Sequence, residues 1–442
     1  MNSKAVITGD AQSDNQHFLS LAEGRTAPPG AYDHRRATGT GADRLIRQVL
    51  RLYTGVKLED DHAACQRLEM LNWRGDRLSD QALVELETLG MNPMRAIDTL
   101  LNEGIDGFTD PPESLRALWA SISEEPDWLD WDKLEQGARV YRRYGVHGYH
   151  YQGVVSIEGY RKESIAQPLM ATGQYSDDTA FDRFLLTCNF WTEVSHPGGM
   201  KLFSEGWKTA VRVRLLHTLI RRRVLQSENW DEAHLGMPIN QAGLLATPML
   251  GSLGMGYHMK LLGYAVSREE IEAMMHHWGY VARIMGLEDG LWPGSIEDGL
   301  QTLYNINRME AQSSSEDSRR LGASFLECFK PEAVAGQKAS GRRISRLFDA
   351  QRWRSWLQYR AVVAQSAFVI SPMTRRFISG PNPLPWAIPY WLYLFPRNLG
   401  MSLLTRASKR IDEAYDRRVT RVRRDWMVRN LPAHLVAYQP AD

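Results

Sequence analysis

The chain of 442 residues is predicted to fold as an all-α protein. Its clearest helix signal is a capping box, in which Ser267 and Glu270 precede apolar residues that recur at helical spacing as far as Met285. Strand signals are scarce, since the apolar run at 153–157 is short and isolated and alternating patterns between turn dipeptides are rare. We therefore expect a single large helical domain with additional peripheral helices.

The domain boundaries follow from changes in composition along the chain. Residues 1–44 are rich in Gly, Ser, Asp and Thr without apolar periodicity, which predicts a flexible or loosely packed amino-terminal arm. The predicted helical domain comprises residues 45–407, where helical spacing begins at Leu45. Residues 408–442 alternate basic and acidic side chains and predict a solvated, charged carboxy-terminal helix and tail.

Charge and cysteine usage argue against several classes of protein. With 53 basic and 52 acidic side chains, a formal charge of +1 gives no electrostatic basis for nucleic-acid binding. Cys65, Cys188 and Cys328 are far apart and form no CxxC pair, so neither a disulfide scaffold nor a cysteine-built zinc site is expected. The amino terminus lacks a basic segment followed by an apolar stretch, so we expect no signal peptide and a cytoplasmic location.

An apolar segment near the carboxy terminus allows two interpretations. Residues 384–404 approach the length of a membrane span, but three internal prolines and Arg397 predict a broken helix rather than a transmembrane one. The aromatic residues within 383–395 suit peripheral contact with a membrane, because Trp and Tyr favour interfacial positions. The alternative is a buried, kinked connection that closes the core.

Several common catalytic motifs do not occur in the sequence. It contains no Walker A segment, no GxSxG and no HExxH, which removes the usual NTPase and hydrolase signatures. Two histidine pairs, at 147/150 and 276/277, could bind a metal. Each pair lacks a third ligand, however, and is more simply explained as core or surface histidine.

The segment around His217 predicts one long helix with a histidine on a mostly apolar face. Val213 and Ile220 lie on that face, with Arg214 and Arg221 about one turn to either side. Such a face would suit haem, with imidazole as axial ligand, apolar side chains against the macrocycle and guanidinium groups near the propionates. The alternative is a buried histidine whose second nitrogen is hydrogen-bonded, with Arg221, Arg222 and Arg223 as favourable cations in the last turn of the helix.

The preceding helix, predicted at 181–191, carries a polar pair on an apolar background. Arg183, Leu186, Thr187 and Phe190 lie on one side of it, and the opposite side is apolar. Because both sides are largely apolar, the helix is expected to be buried all round. Arg183 and Thr187 would then share an interior surface, where an unpaired charge is costly and indicates a functional site.

The order of these segments resembles that of a known family. They are RFLLT at 183–187, VRLLHTLIR at 213–221, PINQ at 238–241, HWGY at 277–280 and LFPR at 394–397. Their order and spacing resemble the catalytic domain shared by latex clearing proteins, which are rubber oxygenases, and the MpaB-type oxygenases of mycophenolic acid biosynthesis. The resemblance covers roughly residues 130–405.

The resemblance implies a globin-like helical core that binds haem b. His217 would be the proximal iron ligand, and Arg183 and Thr187 would be catalytic residues on the distal side, where Leu186 and Phe190 line an apolar pocket. In latex clearing proteins a lysine just before that threonine can take the distal position. Leu186 stands there in this chain, which implies an open or differently ligated sixth site and the wider MpaB-like branch.

Two functional hypotheses follow. The first is a haem b-dependent oxygenase that uses O₂ to oxidise or cleave a carbon–carbon double bond in a hydrophobic substrate such as an isoprenoid. The second is a haem-containing sensor or carrier of hydrophobic ligands without turnover, motivated by Leu186 in place of the distal lysine. A peroxidase has less support, because no distal His–Arg pair can be identified from spacing.

Overall fold

The structure is a computed structural model that describes residues 11–171, 180–330 and 350–431. Helices dominate these ranges, and the only extended pairing within them is an isolated antiparallel bridge between Tyr32 and Glu310. The all-α prediction is confirmed.

The helices fall into three stretches of chain. The first stretch contains α1 (Ala11–Ser20), α2 (Gly41–Thr54), α3 (His62–Met70), α4 (Arg77–Thr88), α5 (Pro93–Glu103) and α6 (Glu113–Ser123). The second contains α7 (Trp131–Arg143), α8 (Gly145–Gly159), α9 (Glu163–Ala171), α10 (Ala180–Val194), α11 (Glu205–Leu225), α12 (Glu232–Leu235), α13 (Gln241–Met249) and α14 (Met255–Leu261). The third contains α15 (Arg268–Ile284), α16 (Ile296–Met309), α17 (Glu316–Glu327), α18 (Ala350–Ser366), α19 (Pro372–Phe377), α20 (Leu384–Ala407) and α21 (Lys409–Asn430).

One hydrophobic core connects most of these helices. Within it, α7 and α15 bring their backbones into near contact, since an added Cβ on Gly137 would lie 2.0 Å from the carbonyl oxygen of Ala273. The predicted capping box opens α15, with the N–H of Glu270 donating to Ser267 Oγ at 3.1 Å and the N–H of Ser267 donating to the Glu270 carboxylate at 2.9 Å. The capping box thus fixes the start of α15, and the small size of Gly137 allows α7 and α15 to pack closely.

Composition predicts a flexible or loosely packed amino-terminal arm, and part of this segment is anchored to the body. From Phe18 onward it packs on the body: Phe18 and Leu21 are buried in a small cluster with Trp73. Further along, Tyr32 forms the isolated antiparallel bridge with Glu310, the residue that follows α16. A few large apolar side chains are therefore enough to dock a segment that is otherwise polar.

The charged carboxy-terminal helix α21 is also part of the body rather than a solvated rod. Val419, Arg423 and Met427 are buried on one side of it. Its acidic residues pair mainly across the interface, as Asp416 accepts two hydrogen bonds from Arg142 of α7 at 3.0 and 3.1 Å. The alternating charges correctly predicted a helix, but they did not predict which residues of the body its acidic side chains would pair with.

Helix α20 is continuous, although the prolines predicted a break. Pro389 and Pro396 lie inside it and are both exposed, so the carbonyls that lose a donor can bond water. The opposite side is anchored by Asn398, whose amide donates to the carbonyl of Leu262 at 2.9 Å. Much of α20 is exposed, so it is not a buried connection. In the described part of the chain, no helix is long and apolar enough to span a membrane.

Candidate functional site

Helices α10 and α11 form a hairpin whose closed end is tightly fixed. An added Cβ on Gly206, in the first turn of α11, would lie 2.4 Å from the carbonyl oxygen of Glu193 near the end of α10. The N–H of Trp207 donates to the carbonyl of Gly199 at 2.7 Å, and its indole Nε1–H donates to the carbonyl of Ile122 at 2.9 Å. The start of α11 is thus held against the end of α10.

This hairpin sets which residues of the two helices lie at the same level. Eleven residues along α11 from Gly206 stands His217, and ten residues back along α10 from Glu193 stands Arg183. At 1.5 Å per residue both paths cover about 15 Å, so Arg183 and His217 lie at a similar distance from the closed end. Thr187 lies one turn from Arg183, whose carbonyl accepts a hydrogen bond from its Oγ1 at 2.9 Å.

His217 carries a ring nitrogen that no described residue satisfies. Its Nδ1 is buried and has no hydrogen-bond partner in the described part of the chain. Burial, with the positive charge of Arg221, lowers the pKa of His217 to about 4, so the imidazole is neutral at pH 7. One nitrogen of a neutral imidazole carries a lone pair that can bind a metal. His217 is therefore not a core histidine with both ring nitrogens hydrogen-bonded.

One side of α10 is open, contrary to the expectation of burial all round. Its neighbours α11, α17 and α21 cover the other sides, where Phe184 and Cys188 are buried. On the open side Leu186 is 42% exposed, Thr187 is exposed, and Phe190 is half-buried with its ring 6.4 Å from that of Trp278 in α15. Within the described part of the chain, the stripe of α10 that carries Leu186 and Thr187 is therefore exposed.

The neighbouring surface of α11 is apolar and open as well. Leu216 is 51% exposed, and Val213 and Ile220 are half-buried on either side of His217. We use the name apolar groove for these side chains of α11 together with Leu186, Thr187 and Phe190 of α10, which packs against α11. Exposed apolar side chains on two packed helices form a candidate interaction surface for an apolar ligand.

Arg214 and Arg221 do not reach this groove. Both are buried, and every guanidinium nitrogen has a protein partner. Arg214 donates to the two carboxylate oxygens of Asp76 at 2.6 and 2.9 Å, and Arg221 donates from Nε to Asp80 at 3.0 Å. The predicted role of these arginines near haem propionates is therefore not supported, because their hydrogen bonds are used between α11 and the start of α4.

The carboxylate of Asp76 is the centre of this network. Burial opposes its ionisation, but the charge and hydrogen bonds of Arg214 outweigh burial and hold the pKa of Asp76 below its usual value. Ser79 Oγ donates to it at 2.6 Å and is also 2.6 Å from Thr218 Oγ1 of α11. Since Thr218 follows His217, the network fixes the turn of α11 that carries the histidine.

Sequence reasoning missed Asp76 and Asp80, although a signal was present. The two aspartates are four residues apart, and Arg214 and Arg221 are seven apart, so each pair lies on one face of its helix. Two like charges on one face of each helix are explained by mutual neutralisation when those faces are buried against each other. Nothing in the local pattern says that α4 and α11 are neighbours.

The other histidines weighed as metal ligands do not form a metal site with the described residues. His147 bonds to Tyr390 Oη at 3.0 Å, and its ring centre is 6.4 Å from that of His150. His277 is fully buried with neither ring nitrogen bonded, and burial lowers its pKa to about 3. A separate group, Asp33, His34 and Glu69, has ligand atoms within 4.8 Å of one another.

The possible ligand atoms of this group already take part in hydrogen bonds within the protein. His34 Nδ1 lies 2.9 Å from Glu69 Oε1, which also accepts from the N–H of His34 at 2.6 Å. Asp33 Oδ1 accepts from the N–H and Nε of Arg35. The cluster is therefore explained as a junction that holds the amino-terminal segment to α3.

An all-helical domain with a neutral histidine beside an open apolar groove defines a candidate cofactor-binding protein. Residues 152–411 match the family described as ER-bound oxygenase mpaB/B'/Rubber oxygenase, catalytic domain, and the chain belongs to this family. The match contains both helices of the hairpin and lies close to the predicted 130–405. Family membership indicates an oxygenase, and hence an enzyme.

Two known proteins illustrate the relationship. Rubber oxygenase from Streptomyces sp. (strain K30) is 25% identical over 189 residues, which are 42% of this chain and 46% of the relative. The match thus spans about half the length of that curated relative. The structure of the latex clearing protein LCP in the closed state covers 83% of this chain and 93% of its own, with 17% identity and a TM-score of 0.48. The resemblance seen in the short motifs is confirmed.

Proposed function

We propose that this protein is a haem b-dependent oxygenase that uses O₂ to oxidise or cleave a carbon–carbon double bond in a hydrophobic substrate. The observation that carries the proposal is His217, a neutral imidazole with an unpartnered buried nitrogen beside the apolar groove, in a chain of an oxygenase family. Isoprenoid compounds are the first substrate class to test.

The residues of the groove fit a haem. His217 would bind the haem iron, and the apolar side chains of Val213 and Ile220 from α11 and of Leu186 and Phe190 from α10 would contact the cofactor. Bound haem b would supply the redox-active iron at which dioxygen is activated. The buried Arg214 and Arg221 would act indirectly, by fixing the rotation of α11 and thereby the direction of the imidazole.

Arg183 and Thr187 would act from the opposite helix as hydrogen-bond donors. Donors that point to where negative charge develops on oxygen lower the barrier most when they are positioned in advance. The Thr187 hydroxyl can rotate from the Arg183 carbonyl toward a ligand, because a hydroxyl group has one rotatable donor and two acceptor positions. Leu186 would hold the alkene and exclude water, so that orientation supplies part of the rate.

Haem loading tests the ligand assignment. Purified protein reconstituted with haemin should contain one haem per chain by the pyridine haemochrome assay, and His217→Ala should lose it. His276→Ala is a matched control, since His276 is half-buried and bonds only the Asp130 backbone. Circular dichroism would show that both variants remain helical. Full haem content in the His217→Ala protein would overturn the assignment.

Turnover separates an oxygenase from a carrier. Oxygen consumption with a polyisoprenoid or terpenoid and a reductant should be stoichiometric with carbonyl products. Arg183→Ala should retain haem but lose turnover, because the residue lies on the helix opposite the proposed ligand. A haem-loaded protein that binds such substrates without consuming oxygen would instead support a sensor or carrier.

A further inference from the structure

Helix α2 is amphipathic, and its apolar side faces solvent. Five apolar side chains on it are exposed: Leu45, Ile46, Val49, Leu52 and Tyr53. Their spacing places them on one face, and the most exposed of them, Leu52, is 80% exposed. A stripe of this kind on a surface helix marks an interaction site.

Helix α20 exposes a second and longer apolar surface. Its exposed apolar side chains are Leu384, Ile388, Trp391, Leu392, Tyr393, Leu399, Leu403 and Leu404. The helix has 24 residues, and at 1.5 Å per residue it extends about 36 Å. The exposed leucines, the isoleucine and two aromatic rings therefore all lie along this one surface helix.

The two surfaces adjoin the same short helix, α14. From α2, Tyr53 Oη donates to the carbonyl of Tyr257 at 2.6 Å. From α20, Trp391 Nε1 donates to the carbonyl of Leu261 at 2.8 Å. Both α2 and α20 therefore contact α14, through carbonyls that are one helical turn apart. We call the exposed apolar side chains of α2 and α20 the apolar docking face.

The charges around this face are almost all positive. Arg44, Arg51 and Arg397 are exposed and have no ion-pair partner in the described part of the chain. Lys260 of α14 sits over the Tyr257 ring, 4.9 Å from its centre. The sequences of α14 and α20 contain no acidic residue.

Carboxylates that contact these elements are paired, as Asp60 is with Arg47 of α2 and Glu270 is with Arg406 of α20. Asp43, the single acidic residue of α2, is buried and accepts from Tyr304 Oη at 2.5 Å. Glu297, which interacts electrostatically with Tyr257, accepts two hydrogen bonds from Arg268 at 2.7 Å. The carboxylates named here thus have cationic or hydrogen-bonding partners, whereas Arg44, Arg51 and Arg397 have no ion-pair partner among the described residues.

We propose that the apolar docking face binds the surface of a bilayer that contains anionic lipid. Leucine and isoleucine would enter the boundary between headgroups and acyl chains, Trp391 and Tyr393 would take interfacial positions, and Arg44, Arg51 and Arg397 would meet lipid phosphates. The face spans two helices, so it fixes how the protein lies on the membrane. It extends well beyond the segment 383–395.

A second copy of the chain fits this face less well. In a two-fold contact the same patch meets itself, which would bring Arg44, Arg51 and Arg397 of one copy toward those of the other. No carboxylate of α14 or α20 is present to offset that repulsion. Anionic lipid supplies the missing charge together with an apolar phase.

Vesicle flotation tests the proposal on the full chain. The probes are vesicles of phosphatidylcholine alone and of phosphatidylcholine with 30% phosphatidylglycerol. Leu52→Glu and Ile388→Glu each place a charge on the face, and Leu89→Glu is the control. Leu89 is the residue after α4 and is not part of the apolar docking face, and its 59% exposure equals that of Ile388.

The wild-type protein should float with the anionic vesicles, and each face variant should bind on the order of tenfold more weakly. Leu89→Glu should bind like the wild type. Arg44→Gln and Arg51→Gln should each weaken binding about fivefold at low salt. If a glutamate variant loses its helical circular dichroism, Leu52→Ser and Ile388→Ser give the same comparison.

Three outcomes would overturn the proposal: no flotation of the wild-type protein, flotation that both face variants retain, or a dimer in light scattering that the face variants abolish without any vesicle binding. Apoprotein and haem-loaded protein should float equally. The test is therefore independent of the proposed oxygenase activity.

Discussion

Replacing Asp76 with asparagine should destabilise the protein strongly, because it removes the counter-charge of a buried arginine. Arg214 is 3% exposed and donates to both carboxylate oxygens of Asp76. The asparagine amide keeps the size of the side chain but not its charge. Helix α11 would then carry a buried cation one turn from His217.

The expected loss in free energy of unfolding depends on how deeply the ion pair is buried. It can be compared with the loss for a more exposed ion pair between the same two helices. Breaking a buried ion pair by removing one partner costs about 3–5 kcal/mol. The pair of Arg222 and Glu87 also joins α11 to α4, but its side chains are 15% and 34% exposed. Such partly exposed pairs contribute about 0–1 kcal/mol, so Glu87→Gln should cost under about 1 kcal/mol in free energy of unfolding.

Urea unfolding followed by circular dichroism and tryptophan fluorescence would measure both variants. The double replacement Asp76→Leu with Arg214→Met should cost less than Asp76→Asn alone, because it leaves no unpaired buried charge. A loss for Asp76→Asn no larger than that for Glu87→Gln would refute the reasoning. So would a double variant that is less stable than the single one.

Three further predictions concern the same framework. Gly137→Ala should lower stability by about 1–3 kcal/mol in urea unfolding, because its Cβ would strike the α15 backbone, whereas Gly243→Ala, which meets only a 3.7 Å contact, should raise it by up to about 1 kcal/mol. Acid titration should show a component of stability that is present above the usual pKa of Asp76, 3.8, and lost as the pH falls toward its lowered value; Asp76→Asn should lack it. Trp207→Phe should cost about 1–3 kcal/mol by the same unfolding assay, because the carbonyl of Ile122 loses its indole donor; an unchanged midpoint would contradict this.

The hairpin shows what a local pattern can predict. The helices expected at 181–191 and around His217 are present as α10 and α11, since apolar periodicity is a property of adjacent turns. Their relation to the rest of the chain was not predictable in this way. Arg214 and Arg221 bind carboxylates that lie 138 and 141 residues earlier, and only the tertiary fold brings these groups together.

Composition predicted the ends of the chain less well than the centre. A polar average suggested a free arm, yet Phe18 and Leu21 are enough to dock it. Alternating charge suggested a solvated last helix, yet Arg423 is 2% exposed. Averages over a segment conceal single anchoring side chains, and the energy of docking depends on those few residues.

The buried Arg423 gives the last helix a role in the integrity of the site. Its guanidinium donates to Ser195 Oγ at 3.0 Å and to the carbonyl of Trp191 at 3.1 Å, at the end of α10, and to Tyr149 Oη at 2.9 Å in α8. The family match ends at residue 411, twelve residues before this arginine. A chain shortened at the family boundary would therefore lose the hydrogen bonds that Arg423 makes at the closed end of the hairpin, and we expect it to be less stable than the full chain.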